Sequence, residues 1–371
     1  MRDALAERLL AQVMDWTPED VARERPDLQA LAIYKYDEYQ RFFPGMRFVE
    51  SLASWLSQFE QLDERRKAYA FVKKRMLFCS AAELNHLVSI AYHDHVRPWL
   101  LKRVARDEGI DGHLVGRVAV HPQFRVRQRQ CLFLGLSDGA RTDVFRRANS
   151  TELSHEQILQ TYEVSAPRVE ELLSKLSDGI AAILGATPPV EETKFRTVVL
   201  LDDFSGSGLS YVRRGEGNSL KGKIGEFHCD LMRADGYMHQ LVDVAHLEVI
   251  VVLYVATEQA RTHLESFAGE MWSERGAECS IMVLSPLTGV RPIARDDDDE
   301  MVAIIEKYYD PSIEDQHTKV GGTDLKYGFS GCGLPLVLGH NTPNNSLALL
   351  WADTGQMRGL FPRVSRHRRD A

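Results

Sequence analysis

Val198-Val199-Leu200-Leu201-Asp202-Asp203-Phe204-Ser205-Gly206-Ser207-Gly208-Leu209-Ser210 is the stretch on which the reading of this chain turns. Four consecutive apolar residues suit a strand buried on both faces. Two carboxylates follow at its carboxyl end, then a loop of small hydroxyl and glycine residues, then an expected helix. In open α/β sheets, ligands bind outside the carboxyl ends of the strands. Gly206 and Gly208 let backbone N–H groups approach an anion, Ser205, Ser207 and Ser210 add hydroxyl donors, and the helix N-terminus adds partial positive charge, so the loop reads as a phosphate cradle. Adjacent carboxylates repel a phosphate, but Asp202 and Asp203 suit a sugar diol or a Mg²⁺ ion. The combination points to a phosphorylated sugar, with its phosphate in the loop and its hydroxyls on the acids.

Working outward, short apolar runs alternate with helical patterns. Strands are expected at Cys131–Leu136, Thr197–Leu201, Leu247–Ala256 and Cys279–Leu284, with a fifth at Leu334–Leu338. Helices are expected between them at His155–Gln160, Val169–Leu184, Gln259–Phe267 and Glu300–Tyr308. This alternation predicts an α/β, mostly parallel sheet with helices on both faces. The first ~110 residues instead carry helical spacing in Asp3–Trp16, Leu28–Phe43 (stopped by Pro44-Gly45), Phe48–Phe59, Glu64–Phe78 and Ala81–Asp107, where Ser80 and Glu83 form a capping box. The expected organisation is an all-α module over 1–115 and an α/β domain over 116–371.

Composition narrows the class. The chain has 371 residues and a net charge of −8, which argues against a general nucleic-acid coat. Hydrophobic residues make up 44% and charged residues 26%, an ordinary globular balance that argues against long disorder. No run of 18 apolar residues exists, so no membrane partner is expected, and Asp3 and Glu7 interrupt the apolar residues of Met1–Leu10, so no signal-peptide core is expected. Five scattered cysteines without a CxxC pair suit reduced thiols and a cytoplasmic setting.

The Val198–Ser210 segment resembles the phosphoribosyl diphosphate (PRPP) binding motif of the type I phosphoribosyltransferases, in which four apolar residues precede two acids and a Thr/Ser-Gly-x-Thr/Ser loop. The resemblance implies that Asp202 and Asp203 hold the ribose hydroxyls and that Ser207, Gly208 and Ser210 bind the 5-phosphate. Leu209 departs from the glycine common there, and Ser205-Gly206 from bulkier residues. The loop Ser137-Asp138-Gly139-Ala140-Arg141, after the first expected strand, resembles the pyrophosphate loop of the same enzymes, with Arg141 as its basic residue; an ordinary strand-to-helix turn reads equally well. Gly339-His340-Asn341-Thr342-Pro343-Asn344-Asn345 follows the last expected strand and reads either as a turn or as a group that recognises the acceptor or base, with His340 as a general acid/base. Taken together, the chain resembles phosphoribosyltransferase-like proteins of bacterial conflict and antiphage systems. That resemblance implies a defence role with Mg²⁺ as cofactor, PRPP or a nucleotide as ligand, and a protein partner docking on the helical module. It leaves open a nucleic-acid or reverse-transcriptase partner.

Other motifs carry less. Gly217–Ile224 imitates a phosphate-binding P-loop, but Ile224 stands where a Mg²⁺-binding hydroxyl is needed and no strand precedes it. Asp353-Thr354-Gly355 imitates an aspartic-protease triplet by chance. His93 and His95, two apart on a helix, do not share a face. Asp296–Glu300 reads as a solvated loop and Arg366–Arg369 as a frayed basic end. Two functions remain: an enzyme acting at the anomeric carbon of a phosphoribosyl group, and a non-catalytic PRPP or nucleotide sensor or interaction subunit.

Overall fold

The nine-residue strand Thr197–Ser205 is the middle strand of a five-stranded parallel sheet. The computed structural model describes residues 2–42, 46–273, 278–322 and 324–363. Among these residues the strands are β1 (Leu77–Cys79), β2 (Cys131–Gly135), β3 (Ile158–Leu159), β4 (Thr197–Ser205), β5 (Arg213–Arg214), β6 (Leu220–Lys221), β7 (Glu248–Ala256), β8 (Glu278–Pro286) and β9 (Leu336–Leu338). The chain divides into two compact units, Leu84–Thr288 and the discontinuous Met1–Glu83 with Gly289–Ala371.

The Leu84–Thr288 unit holds the main sheet, in the order β3-β2-β4-β7-β8, every pairing parallel. In chain order its strands therefore lie 2-1-3-4-5, a doubly wound arrangement whose direction of winding reverses between β2 and β4. Both faces of β4 are buried. Val198 and Leu200 join Val249 and Val251 under the helices Ala166–Leu184, Lys223–Met232 and Glu258–Ser273, through Leu172, Leu176, Phe227 and Leu264. Val199 and Leu201 join Ile250 and Val252 against the helices Arg97–Asp107 and Thr142–Ala148, through Leu100, Val104 and Phe145. Each fully buried Val or Leu contributes about 1.5–3 kcal/mol. Four in succession outweigh the several kcal/mol that burying one ionised carboxylate costs, so the strand can carry Asp202 into the interior.

The other unit contains helices at Arg2–Met14, Pro18–Tyr34, Phe48–Ser57, Leu62–Lys74 and Glu300–Tyr308. Thr17 caps the second of these in a capping box with Asp20, which sets its start at Pro18. The expected capping box at Ser80 and Glu83 is present, with reciprocal bonds of 2.7 and 3.0 Å.

Several expectations change. The predicted helix through Phe78 stops at Lys74, and Leu77–Cys79 becomes β1, pairing in parallel with β9. The N-terminal region is therefore helical with one strand, and the expected fifth strand of the main sheet belongs to this separate two-stranded pair. The fifth place is taken by β3, at the end of the segment expected to be helical: His155–Gln157 forms only a 3₁₀ turn, and Ile158 and Leu159 pair with Phe133 and Leu134. Six residues make too short a window for a helical period to be distinguished from an edge strand. The units also divide the chain differently from 1–115 and 116–371, because residues after 288 pack with the first 83. Pro44-Gly45 and Arg366–Arg369 lie outside the described residues.

Candidate functional site

The winding reversal puts the carboxyl ends of β2 and β4 side by side, with Gly135 opposite Leu201. The two loops singled out in the sequence leave from these ends and meet. Ser137 Oγ donates to Asp202 Oδ1 and accepts from the Gly139 N–H at 3.2 Å. Gly139 lies against the other acid: a Cβ built on it falls 2.3 Å from Asp203 Oδ2. Glycine leaves the Asp203 carboxylate the space that a side chain would take. Tyr254, from β7, donates to the Ala140 carbonyl at 2.6 Å and pins the loop from the strand beyond β4. Arg141 has the left-handed φ of 49°, caps the helix Thr142–Ala148, and donates through Nη1 to Asn85 Oδ1 at 2.9 Å.

Successive residues of a strand face opposite sides of the sheet, so the paired acids have different surroundings. Asp202 shares the face of Leu200 and is fully buried. Its Oδ1 accepts from Ser137 and from the Asp203 N–H at 3.1 Å; its Oδ2 accepts from Tyr211 OH at 2.8 Å and from Lys223 Nζ. A carboxylate offers about four lone-pair positions, and all four are engaged. Burial, and next the neighbouring Asp203 charge, push the Asp202 carboxyl above its ordinary pKa, while Lys223 and Ser137 pull the other way. Burial and the two aspartates raise the Tyr211 hydroxyl far out of the physiological range. Asp203 is half-buried, and its Oδ1 accepts from the Phe204 N–H at 2.8 Å. It is thus the acid of the pair that can meet a ligand, and Asp202 is the buried acid that holds Ser137, Tyr211 and Lys223 in place.

The serine-glycine loop continues from β4. Ser205, Gly206, Ser207 and Gly208 are buried and Ser210 is exposed. Thr257 Oγ1 donates to the Gly206 carbonyl, and Tyr211 and Val212 N–H groups donate to the Gly208 carbonyl at 2.9 and 3.1 Å. Gly208 has φ +80°, and a Cβ there would fall 2.6 Å from the His263 ring, itself held by the Val212 carbonyl at 2.8 Å. Among the described residues no protein acceptor takes the backbone N–H of Gly206, Ser207, Gly208 or Ser210. The loop's carbonyls are bound by the protein while these amide donors stay uncommitted, which is the polarity an anion needs.

The expected helix directly after the loop is absent. The β5–β6 ribbon intervenes, and the helix starts only at Lys223. Its first N–H groups bond Ser210 and Tyr211 carbonyls at 2.8–3.3 Å, so they are spent on the loop and do not serve a phosphate. The sequence marks Lys223 only as part of an imperfect P-loop imitation; it lies 21 residues beyond Asp202, and no local pattern announces that pairing.

Ser137, Asp138, Gly139, Arg141, Asp202, Asp203, Ser205, Gly206, Ser207, Gly208 and Ser210 all belong to the Leu84–Thr288 unit, whereas His340, Asn341, Asn344 and Asn345 belong to the other. There they build a turn. Asn345 Nδ2 donates to the Phe329 carbonyl and Cys332 Sγ, the Asn344 carbonyl accepts from Phe329 N–H, Asn341 N–H donates to Leu338, and the His340 carbonyl accepts from Arg41. The turn reading accounts for these contacts. No group of three or more His, Cys, Asp or Glu side chains is placed to hold a metal among the described residues, so Mg²⁺ at Asp203 would need oxygens from a ligand.

These features define a doubly wound α/β protein with a loop of uncommitted amide donors and a carboxylate at its winding reversal. The chain matches the PRTase-CE family over residues 52–363 and belongs to that phosphoribosyltransferase-like family. The match begins well before residue 116 and so takes in much of the N-terminal helical region. No curated protein and no solved structure matches the chain.

Proposed function

We propose that the protein binds a phosphoribosyl compound, PRPP or a nucleotide, between the ends of β2 and β4 and acts at its anomeric carbon. The observation that carries this is the loop Ser205–Ser210, buried as far as Gly208, in which the N–H groups of Gly206, Ser207, Gly208 and Ser210 are uncommitted and which begins two residues after Asp203. The 5-phosphate takes these N–H groups and the serine hydroxyls; Asp203 takes a ribose hydroxyl; Gly139 and Arg141 face the diphosphate. In transfer from PRPP, the bond between C1 and the diphosphate oxygen breaks, the electron pair leaves with diphosphate, and the acceptor's lone pair closes on C1. The sugar is cationic on the way, and the anionic Asp203 beside it favours that charge, as Arg141 favours the leaving group's. Mg²⁺ bound by diphosphate oxygens and Asp203 would supply further charge neutralisation.

A sensor that binds without turnover is the second reading. It is favoured by the saturation of Asp202, which leaves one acid for the sugar where the resemblance implies two. The family resemblance supports placing either version in the cytoplasm as an effector of a bacterial antiphage defence system, with a protein partner, a reverse transcriptase among the candidates, on the N-terminal helices.

The test is melting of the purified chain with PRPP and Mg²⁺, followed by assay of released diphosphate. Ligand at 100 times its dissociation constant adds about 2.7 kcal/mol. A shift that disappears in Asp203→Asn supports the site; diphosphate release selects the enzyme over the sensor. No shift with PRPP or any common nucleotide refutes both.

A further inference from the structure

On the outer flank of the main sheet, a cavity of about 510 Å³ opens beside the edge strand β3. Its wall includes Arg146, His155, Glu156, Leu159, Arg168 and Lys175. That volume lies within the range of about 300–1,000 Å³ typical of small-molecule sites. We propose that this cavity is a second ligand site, separate from the β2/β4 loops, for a nucleotide-sized phosphate ester.

The charge arrangement gives the ligand class. Arg146 leaves the helix Thr142–Ala148, and Arg168 and Lys175 leave the helix Ala166–Leu184, so two elements converge cations on one hollow. Arg129 stands behind the wall, donating to Glu156 at 2.6 Å and to the Lys175 carbonyl at 2.7 Å. The lining itself carries three cations and one acid, Glu156, which is paired with Arg129; Arg168 and Lys175 also share Glu171 at 2.6 Å each. A local excess of positive charge in a chain of net charge −8 is a departure from the composition and attracts anions.

Donor capacity agrees. Arg146 spends Nη2 on the Ile158 carbonyl at 2.9 Å, but its Nε is buried with no partner among the described residues, and so is Arg129 Nη1. Buried guanidinium donors without an acceptor are costly, and one of the two, Arg146 Nε, belongs to a residue that lines the hollow. The ester half of the ligand finds apolar wall in Leu159 and a stacking edge in His155.

Arg168 and Lys175 are 36% and 49% exposed, so replacing them leaves the fold intact. The experiment measures ADP binding to the full chain at low ionic strength by equilibrium dialysis, in wild type, Arg168→Gln/Lys175→Gln and Gly208→Val. Removing one charge-assisted hydrogen bond weakens binding about tenfold or more. The proposal expects ADP affinity to fall at least that far in the double variant and to persist in Gly208→Val. Equal ADP binding by wild type and double variant overturns it, as does no saturable ADP binding in wild type. Retention of a 20-nucleotide RNA by wild type but not by the double variant, with no ADP binding, overturns it in favour of a nucleic-acid path. Loss only in a Gly208→Val chain that keeps the wild-type far-UV spectrum and a cooperative melt places ADP in the β4 loop and overturns this proposal alone; loss only in the double variant supports it whatever PRPP does at the loop.

Discussion

Removing the charge of Asp202 tests whether that acid organises the loops. In Asp202→Asn, Oδ1 can keep Ser137 and the Asp203 N–H, but an amide NH₂ then faces Lys223 Nζ, donor against donor. Tyr211 can turn its hydroxyl to the Phe204 carbonyl, already 2.8 Å away. The main loss is one charge-assisted hydrogen bond, worth about 1.5–3 kcal/mol, partly offset because a fully buried carboxylate no longer has to be desolvated and because Lys223, 29% exposed, can reach water. The expected cost is about 2 kcal/mol. For a unit of this size that lowers the melting temperature by about 4–8 °C. Lys223→Met is expected to cost more, about 3 kcal/mol, since it strands the buried carboxylate. The double variant is expected near 3 kcal/mol instead of the additive sum near 5, a coupling of about 2 kcal/mol. Scanning calorimetry of the four proteins at pH 7 measures the cycle. Additivity within about 0.5 kcal/mol, or a Lys223→Met milder than Asp202→Asn, would refute the claim that these two side chains hold one another.

Gly139→Ala pushes a methyl into the Asp203 carboxylate, so PRPP affinity is expected to fall at least tenfold with a stability loss of about 1–3 kcal/mol; unchanged affinity in calorimetric titration contradicts the placement of Asp203. Gly208→Ala meets both the +80° φ and the His263 ring, and is expected to cost more than about 1 kcal/mol; denaturant melts that coincide with wild type would show the loop relaxes freely. Burial alone would raise Glu64, but Lys307 and Tyr308 overcome it and bring its carboxyl down to about 2. Because its folded pKa lies below the unfolded one, its stabilisation is complete above the ordinary carboxylate range and is lost as pH falls from there toward 2. Glu64→Gln is expected to flatten that part of the acid-stability curve, and parallel curves for the two proteins between pH 5 and 2 would exclude the pairing.

Where the sequence is legible, one residue type has one physical use. The run Val198–Leu201 admits little but a doubly buried strand, and small residues after its acids admit little but a loop at the strand's carboxyl end. Gly139 can be placed near a ligand, though not against Asp203, since only tertiary structure brings those loops together. The different fates of the two acids follow from strand alternation, but which face supplies Lys223 and Tyr211 depends on packing that no local pattern encodes. Leu336–Leu338 has the composition of any central strand, and its partner, Leu77–Cys79, sits at the end of a convincing helical period. The turn at His340–Asn345 has the look of a binding loop because polar residues follow a buried strand; there the Thr342 and Asn345 side chains donate to the Phe361 and Phe329 carbonyls of their own unit.

The parallel pairing of Leu77–Cys79 with Leu336–Leu338 has a consequence for biosynthesis. A ribosome releases the first helices long before the segment that completes their core, whereas every strand of the larger sheet emerges in one uninterrupted stretch. The larger sheet can therefore mature while the opening helices still wait with Phe48, Leu52 and Trp55 uncovered, which are all buried in the finished protein. A nascent chain halted before residue 289 would expose that surface to chaperones or to its own kind.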